Sequence, residues 1–207
     1  AALPLAHQPG ETWMYHTGFD VLGVLLARVS GRSVADLLAE HLTGPLGMES
    51  TGFTAADPRR LATAYGRPVD GDPAEYDVPP GTHTAPPRFE SLSAGLVSTV
   101  PDHLTFLTAL LHDGGPILSA GSVAELTQDQ LTAAQRPGTS ALLANGAGWG
   151  LGVEVTTTGR FGWAGGLGTI GSADPAAGWA GVLFTQHSVE SPATMTAFDG
   201  FFAALGT

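Results

Sequence analysis

A predicted helix with almost no polar face constrains this chain more than any other feature. Between Gly18 and Val29 the apolar positions occupy nearly every side of the helix: Val21, Leu22, Val24, Leu25, Leu26 and Val29. A helix of this kind must be packed on several sides, so we expect a core element rather than a surface one.

The residues just before this helix indicate how it begins. Thr17 and Asp20 have the spacing of a capping box, with a hydroxyl at the N-cap and a carboxylate three residues later. Tyr15 then lies two residues outside the helix, near the positive end of its dipole, where a phenol is rigidly held and has donors nearby. The alternative is that Tyr15 is simply a half-buried aromatic residue in the approach to a helix.

Further helices and strands follow at short intervals. Ser33 with Asp36 and Thr99 with Asp102 repeat the N-terminal capping signal. The other predicted helices are 34–42, 101–112, 120–127 and 194–205, and the predicted strands are 149–155, one starting at 160–163, 168–173 and 179–186. Because these strands are consecutive and closely spaced, we expect an antiparallel meander within residues 149–186.

The segment 54–90 is the least regular part of the chain. It is rich in proline and acidic in its centre. We expect an ordered lobe rather than a linker, because apolar side chains are spaced to anchor it. These anchors are Leu61, Tyr65, Tyr76, Val78 and Phe89.

The composition excludes several classes of protein. The formal charge of -11 argues against a nucleic-acid-binding surface, and the absence of cysteine excludes disulfides and thiolate chemistry. No apolar run approaches the roughly 20 residues that span a bilayer. The 7 histidines contain no His-x-x-x-His pair, so we expect no metal site. Residues 166–171 match a dinucleotide-binding glycine pattern, but a turn follows instead of a helix, so we expect no cofactor.

Six short signatures occur in the order of a known family. They are Pro9-Gly10, Trp13-Met14-Tyr15-His16-Thr17-Gly18, Leu22-Gly23-Val24-Leu25, Val29-Ser30-Gly31-Arg32, Pro45-Leu46-Gly47-Met48 and Thr51-Gly52-Phe53. Together they resemble the serine β-lactamase-related family, which includes class C β-lactamases, D-alanyl-D-alanine carboxypeptidases and esterases. The resemblance implies an α/β (α+β) fold in which an antiparallel sheet is flanked by helices, here incomplete at the N-terminus. It also implies that residues 1–207 are one domain and that the 54–90 lobe borders the substrate cleft.

The resemblance assigns roles to the residues before the first helix. In this family the tyrosine of a Tyr-x-Asn motif helps to move the nucleophile's proton, and Tyr15 matches it. Thr17 stands where the family has asparagine, and a hydroxyl offers fewer hydrogen bonds than an amide. Thr17 would contact the substrate or relay a proton, and His16 is a second candidate cleft residue. The change favours an esterase-like variant over an efficient β-lactamase.

A second motif lies near the predicted sheet. Trp163-Ala164-Gly165 resembles the family's Lys-Thr-Gly or His-x-Gly strand motif, so Trp163 would form a wall of the cleft and Gly165 would line it. The Gly166 N–H would donate to the oxyanion together with the nucleophile's own N–H. Without a cation in the motif, a neutral ester or amide is the expected substrate. The alternative is a glycine-rich bend between edge strands.

The chain contains no lysine, since all 8 basic residues are arginine. The family's nucleophile is the serine of Ser-x-x-Lys. Ionising a free tyrosine at pH 7 costs about 4 kcal/mol, whereas a helix N-terminus contributes about 0.3–1 kcal/mol. We therefore expect the C-terminal part of a longer serine hydrolase that cleaves an ester or amide through an acyl-enzyme. Its expected partners are that small-molecule substrate and either the missing N-terminal segment or a second chain. A lysine-free pseudoenzyme that binds a ligand or acts as a scaffold is the alternative.

Overall fold

The computed structural model describes residues 4–66, 74–75, 79, 81–139, 142–144 and 146–206. Its helices are α1 (Gly18–Ser30), α2 (Val34–Leu38), α3 (Gly44–Leu46), α4 (Val100–Leu111), α5 (Ala120–Leu126) and α6 (Pro192–Ala204). A π-helical segment, Ala39–Thr43, joins α2 to α3, and two 3₁₀ segments are Pro58–Arg60 and Arg136–Thr139. In this described part of the chain, no helix has the length and hydropathy needed to cross a bilayer.

Five strands form one antiparallel sheet in sequence order, β1-β2-β3-β4-β5. They are β1 (Gly148–Trp149), β2 (Glu154–Val155), β3 (Phe161–Gly165), β4 (Thr169–Asp174) and β5 (Trp179–Phe184). The predicted meander is confirmed. The predicted single strand 149–155 is wrong, because the chain turns back on itself within it. Gly152, with φ of 103° in the region that favours glycine, lies in that turn.

The helices α4 and α5 cover one face of the sheet. Leu110 of α4 and Val123 of α5 form a core cluster with Val155, Phe161 and Ala173 from three strands. Burying a side chain such as Phe161 contributes about 1.5–3 kcal/mol. This cluster fixes β3 against the helices and so positions the strand that carries the second motif.

The second predicted helix extends further than its sequence pattern indicates. We expected it to end by Gly44, but the chain stays helical through the π-helical segment and α3 up to Leu46. Pro45 lies in the first turn of α3, where its missing N–H is not needed. Gly47, with φ of 65°, ends the run.

Two of the predicted helix caps are confirmed. The Ser33 hydroxyl accepts the Asp36 N–H at 3.0 Å, and the Thr99 hydroxyl accepts the Asp102 N–H at 3.3 Å. Caps of this kind contribute about 1 kcal/mol each.

The predicted capping box at α1 is wrong. Thr17 has helical backbone angles (φ −55°, ψ −21°) instead of the extended ones that a capping residue needs, and its side chain caps nothing. The Asp20 carboxylate instead accepts the Ser91 hydroxyl at 2.6 Å and the Ser93 N–H at 3.3 Å. These hydrogen bonds, with that of Ser91 the strongest, lower the pKa of Asp20. Asp20 therefore anchors α1 to the segment that leads into α4.

The expectation that α1 is packed on several sides is also wrong for the described residues. Of its 13 residues only Gly23 is buried, against the Leu92 side chain. Val21 is 68% exposed and Val29 is 79% exposed. Leu22, Val24, Leu25 and Leu26 are exposed as well, whereas Phe19 at the start of the helix is half-buried. The described part of the chain therefore leaves an apolar helix uncovered.

The 54–90 lobe is described only in part, and Tyr76 and Val78 lie outside the described residues. Tyr65 acts as an anchor, because it forms a bridge with His187 just beyond β5. Leu61 and Phe89 are exposed, so the prediction that they anchor the lobe is wrong.

Candidate active site

Tyr15 and Trp163 meet although 148 positions separate them in the sequence. The Trp163 indole Nε1–H donates to the Tyr15 hydroxyl at 2.7 Å. Tyr15 lies in the approach to α1, and Trp163 lies in the middle of β3. Within the described residues β2 pairs with β3 only at Phe161 and Gly162. The rest of β3 is therefore open on that side, and the phenol is tied to this open half.

An aromatic cluster surrounds the phenol. The Trp149 ring packs edge-on against Trp163 at 4.7 Å and against Tyr15 at 6.0 Å, and Trp13 packs against Trp149 at 5.4 Å. Trp149 is 8% exposed, whereas Tyr15 is 37% exposed. Sequence patterns do not assign Trp13 or Trp149 to the site. Both are aromatic residues near the two motifs, which was the available indication. Their spacing in the sequence does not predict that they lie close together in the fold.

Asp129 holds the strand that carries Trp149. Its carboxylate accepts the N–H of Trp149 at 3.2 Å and that of Leu131 at 3.0 Å, and it pairs with the Arg136 guanidinium. Burial alone would raise the pKa of Asp129, but these donors together lower it. The strand β1 has only two residues, so the Asp129 carboxylate helps to hold Trp149, and with it the aromatic cluster, in place.

A cavity of about 450 Å³ adjoins the cluster and is lined by Tyr15, Trp163 and Gly166 among others. A Cβ built on Gly166 would meet nothing within 4 Å, so this residue faces open space. Its carbonyl accepts the Val189 N–H at 3.0 Å, whereas its own N–H bonds to no described residue. Gly165 differs, since a Cβ there would overlap the Thr169 side chain. The structure thus brings Tyr15, Trp163 and Gly166 around one cavity.

His16 and Thr17, the other two candidates before α1, are not among the residues that line this cavity. The His16 ring packs edge-on against the Tyr15 ring at 4.7 Å, although neighbouring side chains usually point apart. Thr17 is exposed at the start of α1.

Glu154 and Arg160 are the charged residues of the cavity lining. The Glu154 carboxylate accepts the Ala144 N–H at 2.8 Å, and the Arg160 guanidinium lies 4.1 Å over the Phe202 ring. Among the described residues, the group that donates a hydrogen bond to the Tyr15 oxygen is the neutral Trp163 indole, and no arginine pairs with that oxygen. The arrangement offers a phenol, a free N–H and an apolar wall around one space.

The chain is similar to known proteins along most of its length. The family model described as Beta-lactamase matches residues 1–203. An uncharacterized protein of Mycobacterium tuberculosis is 35% identical across 90% of this chain, which covers 52% of that protein. Esterase EstB of Burkholderia gladioli is 27% identical across 98% of this chain, which covers 57% of the esterase. The chain thus spans about half the length of the curated relatives it matches.

Solved structures show the same fold. EstCE1, described as a hydrolase with promiscuous acyltransferase activity, superposes with a TM-score of 0.79 and 25% identity, over 91% of this chain and 55% of its own. A mutant of the simvastatin synthase LovD from Aspergillus terreus superposes with a TM-score of 0.82 and 23% identity, over 93% of this chain and 54% of its own. The β-lactamase/transpeptidase-like fold expected from the sequence is confirmed, and the chain belongs to the beta-lactamase family, the serine β-lactamase-related group that its signatures resemble.

Proposed function

We propose that this chain supplies the tyrosine and the oxyanion wall of a serine hydrolase that cleaves a neutral ester or amide through an acyl-enzyme. The serine and lysine of Ser-x-x-Lys would come from polypeptide outside these 207 residues. The observation that carries the proposal is the 2.7 Å hydrogen bond from Trp163 to the Tyr15 hydroxyl, beside a cavity that Gly166 also lines. The names of the relatives support it, because EstB is an esterase and EstCE1 is a hydrolase with acyltransferase activity.

The proposed chemistry follows from what each group can do. The serine Oγ attacks the carbonyl carbon of the substrate, and its proton passes toward the Tyr15 oxygen. The negative charge that develops on the carbonyl oxygen is stabilised by the Gly166 N–H together with the N–H of the serine itself. The alcohol or amine leaves with a proton, and water then releases the acid from the serine. Trp163 holds the phenol in place and forms an apolar wall for the acyl group.

Covalent labelling tests the proposal. We expect the 207-residue chain alone to take up no fluorophosphonate label. We expect a chimera in which this chain replaces the matched half of the Mycobacterium tuberculosis relative to take up one label, on a serine of the half that the relative supplies. In that chimera, Tyr15→Phe would slow labelling by about 100-fold or more, and Thr12→Ser, outside the proposed machinery, would leave the rate unchanged.

Two outcomes would contradict the proposal. Labelling of the isolated chain at one of its own serines would show that no outside nucleophile is needed. A folded chimera that takes up no label and turns over no ester would favour the non-catalytic binding alternative, which the absence of lysine from the chain also favours.

A further inference from the structure

The turn between β3 and β4 carries the N–H of Gly166, the donor that the proposed mechanism directs at the oxyanion. The peptide group to which this N–H belongs is held at its other end, because the Gly165 carbonyl accepts the Gly168 N–H at 3.0 Å. In a planar trans peptide the C=O and the N–H point in opposite directions. The Gly165 carbonyl points into the turn, so the Gly166 N–H points out of it. The shape of this turn therefore sets the direction of the donor.

The segment directly after β5 holds the same turn at two further points. The Val189 N–H donates to the Gly166 carbonyl at 3.0 Å, and the Thr185 N–H donates to the Gly168 carbonyl at 2.9 Å. The packing between them is close, because a Cβ built on Gly168 would overlap the His187 carbonyl. Both carbonyl groups beside the Gly166 N–H are therefore bonded, while that N–H itself bonds to no described residue.

The Thr185 hydroxyl joins the turn to this segment. It lies 2.9 Å from the Gly168 carbonyl, to which it donates, and it accepts the His187 N–H at 3.3 Å. The His187 carbonyl is also within reach at 3.1 Å, but the hydroxyl of the buried Thr194 donates to that carbonyl. A hydroxyl has one proton to donate. The Thr194 bond therefore leaves the Thr185 proton for Gly168.

In the described part of the chain, no other side chain forms a hydrogen bond to the backbone of residues 165–168. Thr185 is not among the residues that line the cavity, so it can affect a reaction there only through the turn. An oxyanion donor must lie about 2.7–3.1 Å from the oxygen that becomes charged. A displacement of about 1 Å can lower a rate about 100-fold. Support of the turn is therefore a requirement for this kind of catalysis.

We propose that Thr185 is a positioning residue for the Gly166 N–H. Its hydroxyl holds the turn and the segment after β5 together, which keeps the N–H directed at the carbonyl oxygen of the substrate. The catalytic part rests on the proposed function, which assigns Gly166 its role. The hydrogen bonds of the turn do not depend on that assignment, so the two can be tested separately.

A matched pair of variants separates the hydroxyl from the size of the side chain. Thr185→Val replaces the hydroxyl with a methyl group, whereas Thr185→Ser keeps the hydroxyl. In the chimera described above, with p-nitrophenyl butyrate as substrate, we expect Thr185→Val to lower kcat about 10- to 100-fold and to change KM by less than about twofold. Thr185→Ser should keep kcat within about threefold. Dividing each rate by the number of sites that take up fluorophosphonate removes any loss through unfolded protein.

Thr196→Val is the control, because the exposed Thr196 hydroxyl bonds only within α6, and it should leave kcat unchanged. An unchanged kcat in Thr185→Val would overturn the proposal. Equal losses in Thr185→Val and Thr185→Ser would assign the effect to packing and overturn it as well. If Thr185→Val does not fold, Thr185→Ala takes its place, since it differs from Thr185→Ser only in the hydroxyl.

A double-mutant cycle tests whether Thr185 acts through the Gly166 N–H. Gly166→Pro removes this N–H, and a Cβ at the position meets nothing within 4 Å. In the Gly166→Pro chimera, we expect the additional change Thr185→Val to lower kcat by less than about threefold. A further loss as large as that of Thr185→Val alone would show that Thr185 acts by another route and would overturn the proposal.

Residue-resolved hydrogen exchange tests the support of the turn without using activity. The Val189 amide reports on it, because it donates to the Gly166 carbonyl. In the 207-residue chain we expect Thr185→Val to speed exchange of this amide at least about tenfold, and Thr185→Ser to keep it within about threefold. Unchanged exchange in Thr185→Val would overturn the proposal. A chimera that takes up no label, together with the expected exchange, would refute the hydrolase proposal and leave the support of the turn intact.

Discussion

Trp163 contributes to the candidate site both as a ring and as a hydrogen-bond donor. Its ring packs against Trp149 and Tyr15, and its indole N–H donates to the Tyr15 hydroxyl. The Tyr15 oxygen that accepts this bond lies at the cavity that both residues line. The two functions of Trp163 can be separated by mutation.

A double-mutant cycle should measure the hydrogen bond between Trp163 and Tyr15. We expect Trp163→Phe and Tyr15→Phe each to lower the free energy of unfolding, and the double variant to lose less than the sum. The coupling should be about 0.5–1.5 kcal/mol, the usual net contribution of such a bond. Urea unfolding of the four proteins measures it, and strictly additive losses would mean that the bond does not form in solution.

His103 gives the chain a specific sensitivity to mild acid. It lies on α4 between the rings of Phe106 and Phe184, and a Cβ on Gly171 would overlap its ring. Burial lowers the pKa of His103. The unfolded chain therefore binds a proton below about pH 6.5 that the folded chain does not bind. It follows that the free energy of unfolding falls as the pH drops below that value.

We expect His103→Phe to flatten this dependence between about pH 6.5 and 4.5, above the range in which carboxylates titrate. Chemical unfolding at several pH values measures the slope. His41→Gln is the control, because the His41 side chain is 67% exposed, and it should retain the slope of the unsubstituted chain. An unchanged slope in His103→Phe would contradict the assignment.

Part of the site could be predicted residue by residue. Tyr15, Trp163 and Gly166 were candidates because each falls within a short local motif, and they do lie around one cavity. Trp149 belongs to no such motif, and its position depends on the hydrogen bond that its N–H donates to the Asp129 carboxylate, 20 positions away in the sequence. The predicted capping role of Asp20 was wrong for a related reason. The Ser91 hydroxyl donates to the Asp20 carboxylate, and no local pattern reveals a partner that is 71 positions away.

Among the elements, α1 shows the difference between a helix pattern and its environment. The pattern predicted the bounds of the helix within one residue, because periodicity is a local property. The same pattern indicated buried side chains, but a local pattern does not show whether other residues pack over them. The strand pattern at 149–155 failed differently, because two glycines allowed a tight turn where alternation indicated one strand.

Substitutions on α1 should therefore behave as surface changes in the isolated chain. We expect Leu25→Glu to alter the free energy of unfolding by less than about 0.5 kcal/mol. Leu110→Ala, in the core of α4, should cost about 2–5 kcal/mol. Leu25→Glu should also reduce the fluorescence of a dye that binds exposed apolar surface. A large loss of stability in Leu25→Glu would mean that α1 is covered within the chain.

At the scale of the whole molecule, the order of the strands could be predicted and the position of β5 at the edge could not. Short connections between consecutive strands favour neighbours in a meander, and the sheet follows that order. The all-apolar sequence of β5 is typical of a strand that is buried on both faces, and it does not indicate whether both of its edges are paired.

The crossing of Tyr65 beside Gln186 has a consequence for how the 54–90 lobe is attached to the sheet. The Tyr65 N–H donates to the Gln186 carbonyl at 2.7 Å, and the Ser188 N–H donates to the Tyr65 carbonyl at 2.8 Å. Both hydrogen bonds use main-chain atoms, which every residue except proline supplies. The lobe is therefore fastened beyond β5 by its backbone, so a change of the Tyr65 side chain would leave this attachment in place.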